Sequence, residues 1–239
     1  METHKVALVT GSSRGIGKEI ALRLADVVSA VAIHYFKQRE NAEHVVKEIK
    51  KKGKLSAAFR ADLTKEKQAT DLICRVKKRF QKIDILINNF GPLLLKPWEK
   101  VSASEWEYIF RSNLESALFC IKAVLPGMRE RKWGRIINLG YSRAEQLVAF
   151  PTITPYAISK TGLLILTRTV AASEVSSGVT VNMVSPGLME GGILPPDKNI
   201  SKEIIGKFKD VAETVLFLVS EEAASITGTN VIVSGFWKL

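Results

Sequence analysis

Cysteine is almost missing from this chain: Cys74 and Cys120 are the only two thiols among 239 residues. Such a pair supplies neither a disulfide framework nor a metal-ligand cluster. Both are expected to be ordinary packing residues in a reducing cytoplasm. No apolar run is long enough to cross a bilayer. Met1 leads almost at once into the strand-like Val6-Ala7-Leu8-Val9, which leaves no room for a signal peptide. Linkers, internal repeats and low-complexity segments are also lacking, and the length suits one α/β domain over residues 1–239. The expectation is a cytoplasmic globular protein that does not enter a membrane and holds no metal.

Acidic residues are in deficit: 35 Lys and Arg against 24 Asp and Glu leave a formal net charge of +11. The cations are spread over helical stretches, as in Lys47, Lys50, Lys51, Lys52 and Lys54, or Lys77, Lys78, Arg79 and Lys82. They are not interleaved with aromatics on one element, which describes a solvated surface and not a nucleic-acid face. The charge still suits an anionic cofactor or an acidic carrier protein.

What is present is a regular alternation. Strand-like apolar runs at 6–9, 30–34, 56–60, 83–87, 135–139, 180–184 and 230–233 are separated by helical stretches. These helices are expected at 17–25, 40–52, 65–80, 104–128, 156–176 and 210–220. Nearly continuous apolar strands predict a parallel sheet covered on both faces. Right-handed crossovers then give a single-domain, doubly wound, Rossmann-type α/β fold with its ligand at the carboxyl ends of the strands. The least regular stretch, 188–206, contains Gly191, Gly192, Pro195 and Pro196 and reads as a short substrate loop over that edge.

Between the first strand and the first helix lies Thr10-Gly11-Ser12-Ser13-Arg14-Gly15-Ile16-Gly17. Glycines are needed where a backbone turns sharply and approaches a pyrophosphate, and the helix N-terminus beyond offers unpaired N–H groups. The second strand ends in His34-Tyr35-Phe36-Lys37-Gln38-Arg39, with no carboxylate before Glu40 to hold ribose hydroxyls. Arg14 and Lys37 are placed to meet a 2′-phosphate, so NADPH is favoured over NADH. Asp62 suits either a hydrogen bond from an adenine amino group or the N-cap of the next helix.

Tyr156 and Lys160 are spaced to share one face of a helix. A free phenol, with a pKa of about 10, is a poor proton donor near neutrality. A nearby ammonium, together with the positive nicotinamide of an oxidised cofactor, is expected to lower that value, and in the reductive direction Tyr156 protonates a carbonyl oxygen as hydride reaches the carbon.

With these motifs in order, the chain resembles the short-chain dehydrogenase/reductase family over essentially its whole length. The likeness is carried by the glycine turn, Asp62, Asn88-Asn89-Phe90-Gly91, Asn113, Gly134-Arg-Ile-Ile-Asn138, Tyr156-Ala-Ile-Ser-Lys160, Val181-Asn182, Pro186-Gly187 and Ile226-Thr227-Gly228. Within the family it is most similar to the 3-oxoacyl-[acyl-carrier-protein] reductases, while His34-Tyr35 is similar to pteridine reductases. The resemblance implies Tyr156 as acid/base and Lys160 as its tuning residue and ribose ligand. It also implies a proton relay through Asn113. Cofactor contacts are implied at Gly11, Ser13, Arg14, Gly15, Ile16, Gly17, Tyr35, Lys37, Asp62, Leu63, Asn89, Gly91, Pro186 and Gly187. The same likeness implies NADPH-dependent reduction of a small carbonyl substrate, with a ketoacyl thioester on an acyl carrier protein as the leading reading. The alternatives are another carbonyl, a pterin or a quinone as substrate, or a weakly catalytic dinucleotide-binding sensor or partner protein. A homodimer or homotetramer is also implied.

Five places depart from the family pattern. The carbonyl-orienting serine is expected soon after the 134–138 strand, where Tyr141 aligns and Ser142 is the nearest hydroxyl of the usual kind; Ser142 is favoured, with Tyr141 the alternative. Phe90 replaces an alanine and Gly191 replaces a threonine that holds the nicotinamide carboxamide. The 186–210 stretch is short for a substrate lid. Val233-Ser234-Gly235-Phe236-Trp237 replaces the usual ending, with Phe236 and Trp237 read either as interface anchors or as simple core closure.

Overall fold

The computed structural model describes residues 4–192 and 205–235. Pro195, Pro196, Phe236 and Trp237, which carried expectations about the loop and the subunit contact, lie outside the described residues. The chain runs β1 (Val6–Val9), α1 (Gly15–Leu24), β2 (Ala30–Tyr35), α2 (Arg39–Lys51), β3 (Leu55–Arg60), α3 (Glu66–Phe80) and β4 (Ile85–Asn88). It continues through α4 (Ala103–Phe110), α5 (Ser116–Glu130), β5 (Gly134–Leu139), α6 (Thr154–Ser173), β6 (Val179–Pro186), α7 (Phe208–Val219) and β7 (Asn230–Val233).

All seven strands join one parallel sheet in the order β3-β2-β1-β4-β5-β6-β7. Strands β1, β4 and β5 are buried along their full length, as continuous apolar runs require when helices cover both faces. One face packs Val9, Ile33, Ile87 and Ile137 against α1, α2 and α7; the other packs Leu8, Leu86 and Ile136 against α3 and α5. The order reverses between β1 and β4, so their carboxyl ends open a crevice at a topological switch point. Both the glycine turn after β1 and Asn89-Phe90-Gly91 after β4 stand at that crevice.

One expected element differs. The continuous helix over 104–128 is interrupted by a π-helical segment, Arg111–Glu115. Asn113 Nδ2 donates to Ile109 O (3.1 Å) and Pro92 O (2.9 Å), and Ser116 Oγ donates to Ser112 O. Side chains that bond to the preceding turn compete with the regular ladder and widen it, a feature concentrated at functional sites.

The apolar residues of α6 and α7 divide between core and surface. Leu163, Leu164, Val215 and Leu218 are buried, whereas Ile158, Ile165 and Phe217 stay exposed. Cys120 is buried in the core and Cys74 is exposed, and neither has a disulfide partner. Among the described residues no helix is long and apolar enough to cross a membrane.

Candidate active site

The glycine turn is braced from β4. Asn89 Nδ2 donates to Thr10 O (2.9 Å) and Gly11 O (3.0 Å), and Thr10 Oγ1 accepts the N–H groups of Asn89 and Phe90. A side chain on Gly17 would place its Cβ 2.4 Å from Asn89 Nδ2 and 2.6 Å from Gly11 O. Gly11 and Gly15 hold positive φ (+61° and +58°), which other L-residues seldom adopt. The turn therefore needs its glycines for conformation and clearance. Asn89, expected to line a cofactor, spends its amide on holding the turn.

Beside the turn a cavity of about 260 Å³ is lined by Ser13, Arg14, Gly15, Lys18, Asn41 and His44. It stands at the N-terminus of α1, where backbone N–H groups and the helix dipole favour an anion. Arg14 is among its lining residues. Lys37 is not among the lining residues; its ammonium lies 5.8 Å from the Phe36 ring centroid. Leu63 is a core side chain, and Ile16 packs partly against the other core, which leaves backbone groups as their route to a ligand. Tyr35 ends β2 half-buried. Asp62 is not a helix N-cap: Lys65 holds that position, while Asp62 Oδ1 accepts from Thr64 N (3.1 Å) and Thr64 Oγ1 (2.7 Å).

The second cluster lies at the carboxyl ends of β4, β5 and β6. Tyr156 and Lys160 share a face of α6, with the Lys160 ammonium 5.7 Å from the Tyr156 ring centroid. Lys160 is buried and its Nζ donates to Leu139 O at 2.6 Å. A Cβ on Gly91 would stand 2.3 Å from Asn113 Oδ1 and 3.3 Å from Lys160 Nζ, so Gly91, Asn113 and Lys160 meet at one point. Asn113 Oδ1 is buried with no hydrogen-bond partner. Gly187 packs as closely, since its Cβ would stand 2.6 Å from Ser234 Cβ.

Electrostatics here differ from the expected acidic phenol. Burial pushes the Tyr156 hydroxyl well above its ordinary value, and Tyr141 adds to the rise. Burial lowers Lys160 to about 7. In each case desolvation is the leading cause, because it disfavours the charged form.

Tyr141 stands edge-on to Tyr156, with ring centroids 5.6 Å apart and an interplanar angle of 68°, and meets Phe150 in the same way. Its hydroxyl is buried without a partner, and so is Ser142 Oγ. An unsatisfied buried hydroxyl costs about 1–3 kcal/mol. These two hydroxyls, one of them on a ring packed against Tyr156, are unspent hydrogen-bonding groups suited to a ligand oxygen. The Ser142 N–H donates to Pro186 O (2.9 Å), which ties this segment to Pro186-Gly187. Phe90 turns its ring toward His34, 6.2 Å away and edge-on, and packs against the core. Gly191 has a φ of +74°, a conformation in which a threonine would be strained.

His34 is the residue whose part in the site the sequence did not disclose. Its Nδ1 accepts the Gly11 N–H at 3.0 Å, across 23 positions of chain. A histidine closing an apolar strand carries no periodic signal for such a contact.

The rim is apolar. Lys96 N donates to Thr152 O (2.8 Å) and Trp98 N to Pro151 O (2.9 Å), joining the segment after β4 to the one before α6. Leu95, Trp98, Leu147 and Val148 on these segments are exposed.

Known proteins share this arrangement. A family model described as "Enoyl-(Acyl carrier protein) reductase" matches residues 11–235. A 3-oxoacyl-[acyl-carrier-protein] reductase FabG from Staphylococcus epidermidis is 36% identical over 241 residues, covering 97% of this chain and 98% of the relative. D-beta-hydroxybutyrate dehydrogenase from Rhizobium meliloti is 34% identical over 257 residues, covering 98% of each chain. The structure of a short chain dehydrogenase from Burkholderia cenocepacia in complex with NADP superposes with a TM-score of 0.90 at 31% identity, again over 98% of each chain. The chain belongs to the short-chain dehydrogenase/reductase family of oxidoreductases.

Proposed function

We propose that this oxidoreductase reduces a 3-ketoacyl thioester to the 3-hydroxyacyl product, with NADP(H) as cofactor and Tyr156 as proton donor. The observation that carries this reading is the meeting of buried Lys160 and Asn113 at Gly91, with the half-buried Tyr156 on the Lys160 face of α6, at one end of a sheet whose glycine turn opens the same crevice. The turn suits a dinucleotide: a Cβ would fill the space at Gly17 and Gly91, and the cavity at Arg14 offers cationic and amide groups to a 2′-phosphate. When bound, NADPH supplies hydride to the carbonyl carbon. Ser13, Arg14 and Gly15 would hold the phosphates through backbone N–H groups and the guanidinium, and Lys160 Nζ would hold the nicotinamide ribose. Tyr156 Oη gives its proton to the carbonyl oxygen, and the Asn113 region with Lys160 restores it from solvent. The exposed apolar rim of Leu95, Trp98, Leu147 and Val148 suits an acyl chain, and the basic surface suits an acidic carrier. The close relative named as a 3-oxoacyl-[acyl-carrier-protein] reductase supports the same substrate class. The exposed Ile158, Ile165 and Phe217 on α6 and α7 support a homo-oligomer.

Tyr141 is assigned as the second donor to the carbonyl oxygen, because it touches the Tyr156 ring and its hydroxyl lacks a partner. NADPH consumption against ketoacyl thioesters, diketones and dihydropterins tests both points. Turnover is expected with the thioesters, and Tyr141→Phe should lower kcat by about 10²–10³-fold with NADPH binding unchanged. Ser142→Ala should remain near wild type. A larger loss from Ser142→Ala would move the role to the serine, and preference for dihydropterins would replace the substrate class.

Arg14→Ala should weaken NADPH by roughly 10–100-fold, the worth of a charge-assisted bond, and leave NADH within about twofold. Fluorescence titration of both nucleotides reads the difference. Equal weakening would remove the 2′-phosphate from this cavity.

A further inference from the structure

His34 closes β2 with its imidazole buried and both ring nitrogens committed to backbone. Because Gly11 N–H donates to Nδ1 at 3.0 Å, Nδ1 keeps its lone pair. The ring proton therefore sits on Nε2, which donates to Ala61 O at 3.1 Å. The same residue is tied to the turn by its backbone. His34 N–H donates to Ser12 Oγ (3.1 Å), and Ser12 N–H donates to His34 O (3.0 Å). One imidazole thus joins the left-handed Gly11 of the turn, the end of β2 and the segment after β3.

We propose that His34 is a positioning residue for the phosphate-binding turn, holding Gly11 through its Nδ1 lone pair, and that a proton on this nitrogen releases the turn and the dinucleotide with it. The proposal rests on the reading of this turn as the cofactor cradle. Protonation would set an imidazolium N–H against the Gly11 N–H, two donors facing each other in a buried site. Burial opposes that state most strongly and lowers the His34 pKa to about 4. The bond to Ala61 O raises it, Arg75 of α3 lowers it, and Asp62 after β3 raises it. The Gly11-Ser12 backbone and the Phe90 ring, which complete the surroundings, bring no charge. The imidazole is therefore neutral and the turn held at physiological pH, and the hold is lost as pH falls through about 4.

An asparagine at this position offers an Oδ1 acceptor to Gly11 and takes up no proton, whereas a leucine fills the space with no acceptor. The test uses the full chain with NADP⁺, which survives acid, titrated calorimetrically for wild type, His34→Asn and His34→Leu. Circular dichroism follows the fold in parallel. At pH 7.5 His34→Asn should bind within about threefold of wild type, and His34→Leu about tenfold more weakly or worse. The ratio of the wild-type Kd to the His34→Asn Kd should rise from near one at pH 7.5 to about two at pH 4. The 2′-phosphate, which also titrates, is common to both proteins and cancels. In the ligand-free wild type, the Gly11 amide resonance should shift together with the His34 ring, a readout that depends on no variant.

Equal NADP⁺ binding by His34→Leu and wild type, or a Gly11 amide that stays still while His34 titrates, overturns the proposal. Failure of wild type to bind NADP⁺ at pH 7.5 would instead remove the cofactor reading. The ligand-free Gly11 titration would still decide whether His34 governs the turn.

Discussion

Tyr156→Phe should abolish measurable carbonyl reduction while NADP(H) binds as before. Only the phenolic oxygen is lost, and the ring that packs against Tyr141 is kept, so the fold and the crevice persist. Removing a positioned proton donor costs about 10²–10⁴-fold in rate. The upper end is expected here, because desolvation favours the protonated phenol and Lys160 Nζ lies 5.7 Å from its ring centroid. Steady-state kcat together with nucleotide Kd separates loss of chemistry from loss of binding. A variant that turns over at near the wild-type rate would show that the proton comes from elsewhere.

Gly17→Ala should have the reverse signature, a loss of nucleotide binding with the catalytic cluster intact. The added methyl would sit 2.4 Å from Asn89 Nδ2 and 2.6 Å from Gly11 O, and one of these contacts is with backbone. Relieving it means displacing Asn89 from Thr10 O and Gly11 O, the bonds that brace the turn. Overpacking of this kind costs about 1–3 kcal/mol, and the damage falls where phosphates are held. NADPH Kd should rise by roughly 10–100-fold and the melting temperature should fall. Unchanged Kd with normal stability would mean that the turn does not meet the cofactor.

The strand ladder was legible because burial on both faces leaves its mark directly in composition. The central strands β1, β4 and β5 are buried along their length and mostly apolar, and helices such as α2 and α3 have a wet face. The glycine turn and the Tyr156/Lys160 spacing were legible for a different reason: each is a local pattern whose chemistry needs those residues close in sequence. Contacts between distant segments were not. The π-helical segment at Arg111–Glu115 is marked by the bonds of Asn113 to Ile109 O and Pro92 O and of Ser116 to Ser112 O. The His34–Gly11 bond and the absence of Lys37 from the anion cavity are of the same kind, set by how β2 meets the turn.

The direction of the phenol's shift is set first by desolvation, with Tyr141 adding to it. The sequence shows the pair but not the dryness around it. A neutral phenol is the form that donates a proton, so this correction leaves the reductive direction favoured.

Transfer of label from NADPH dideuterated at its nicotinamide C4 tests most directly whether this crevice brings hydride and proton to one carbonyl. With a 3-ketoacyl thioester as acceptor, wild type should give a 3-hydroxyacyl product carrying one deuterium at the carbinol carbon, and Tyr156→Phe should give none above background. Product without deuterium, or labelled product formed equally by the variant, would contradict the assignment.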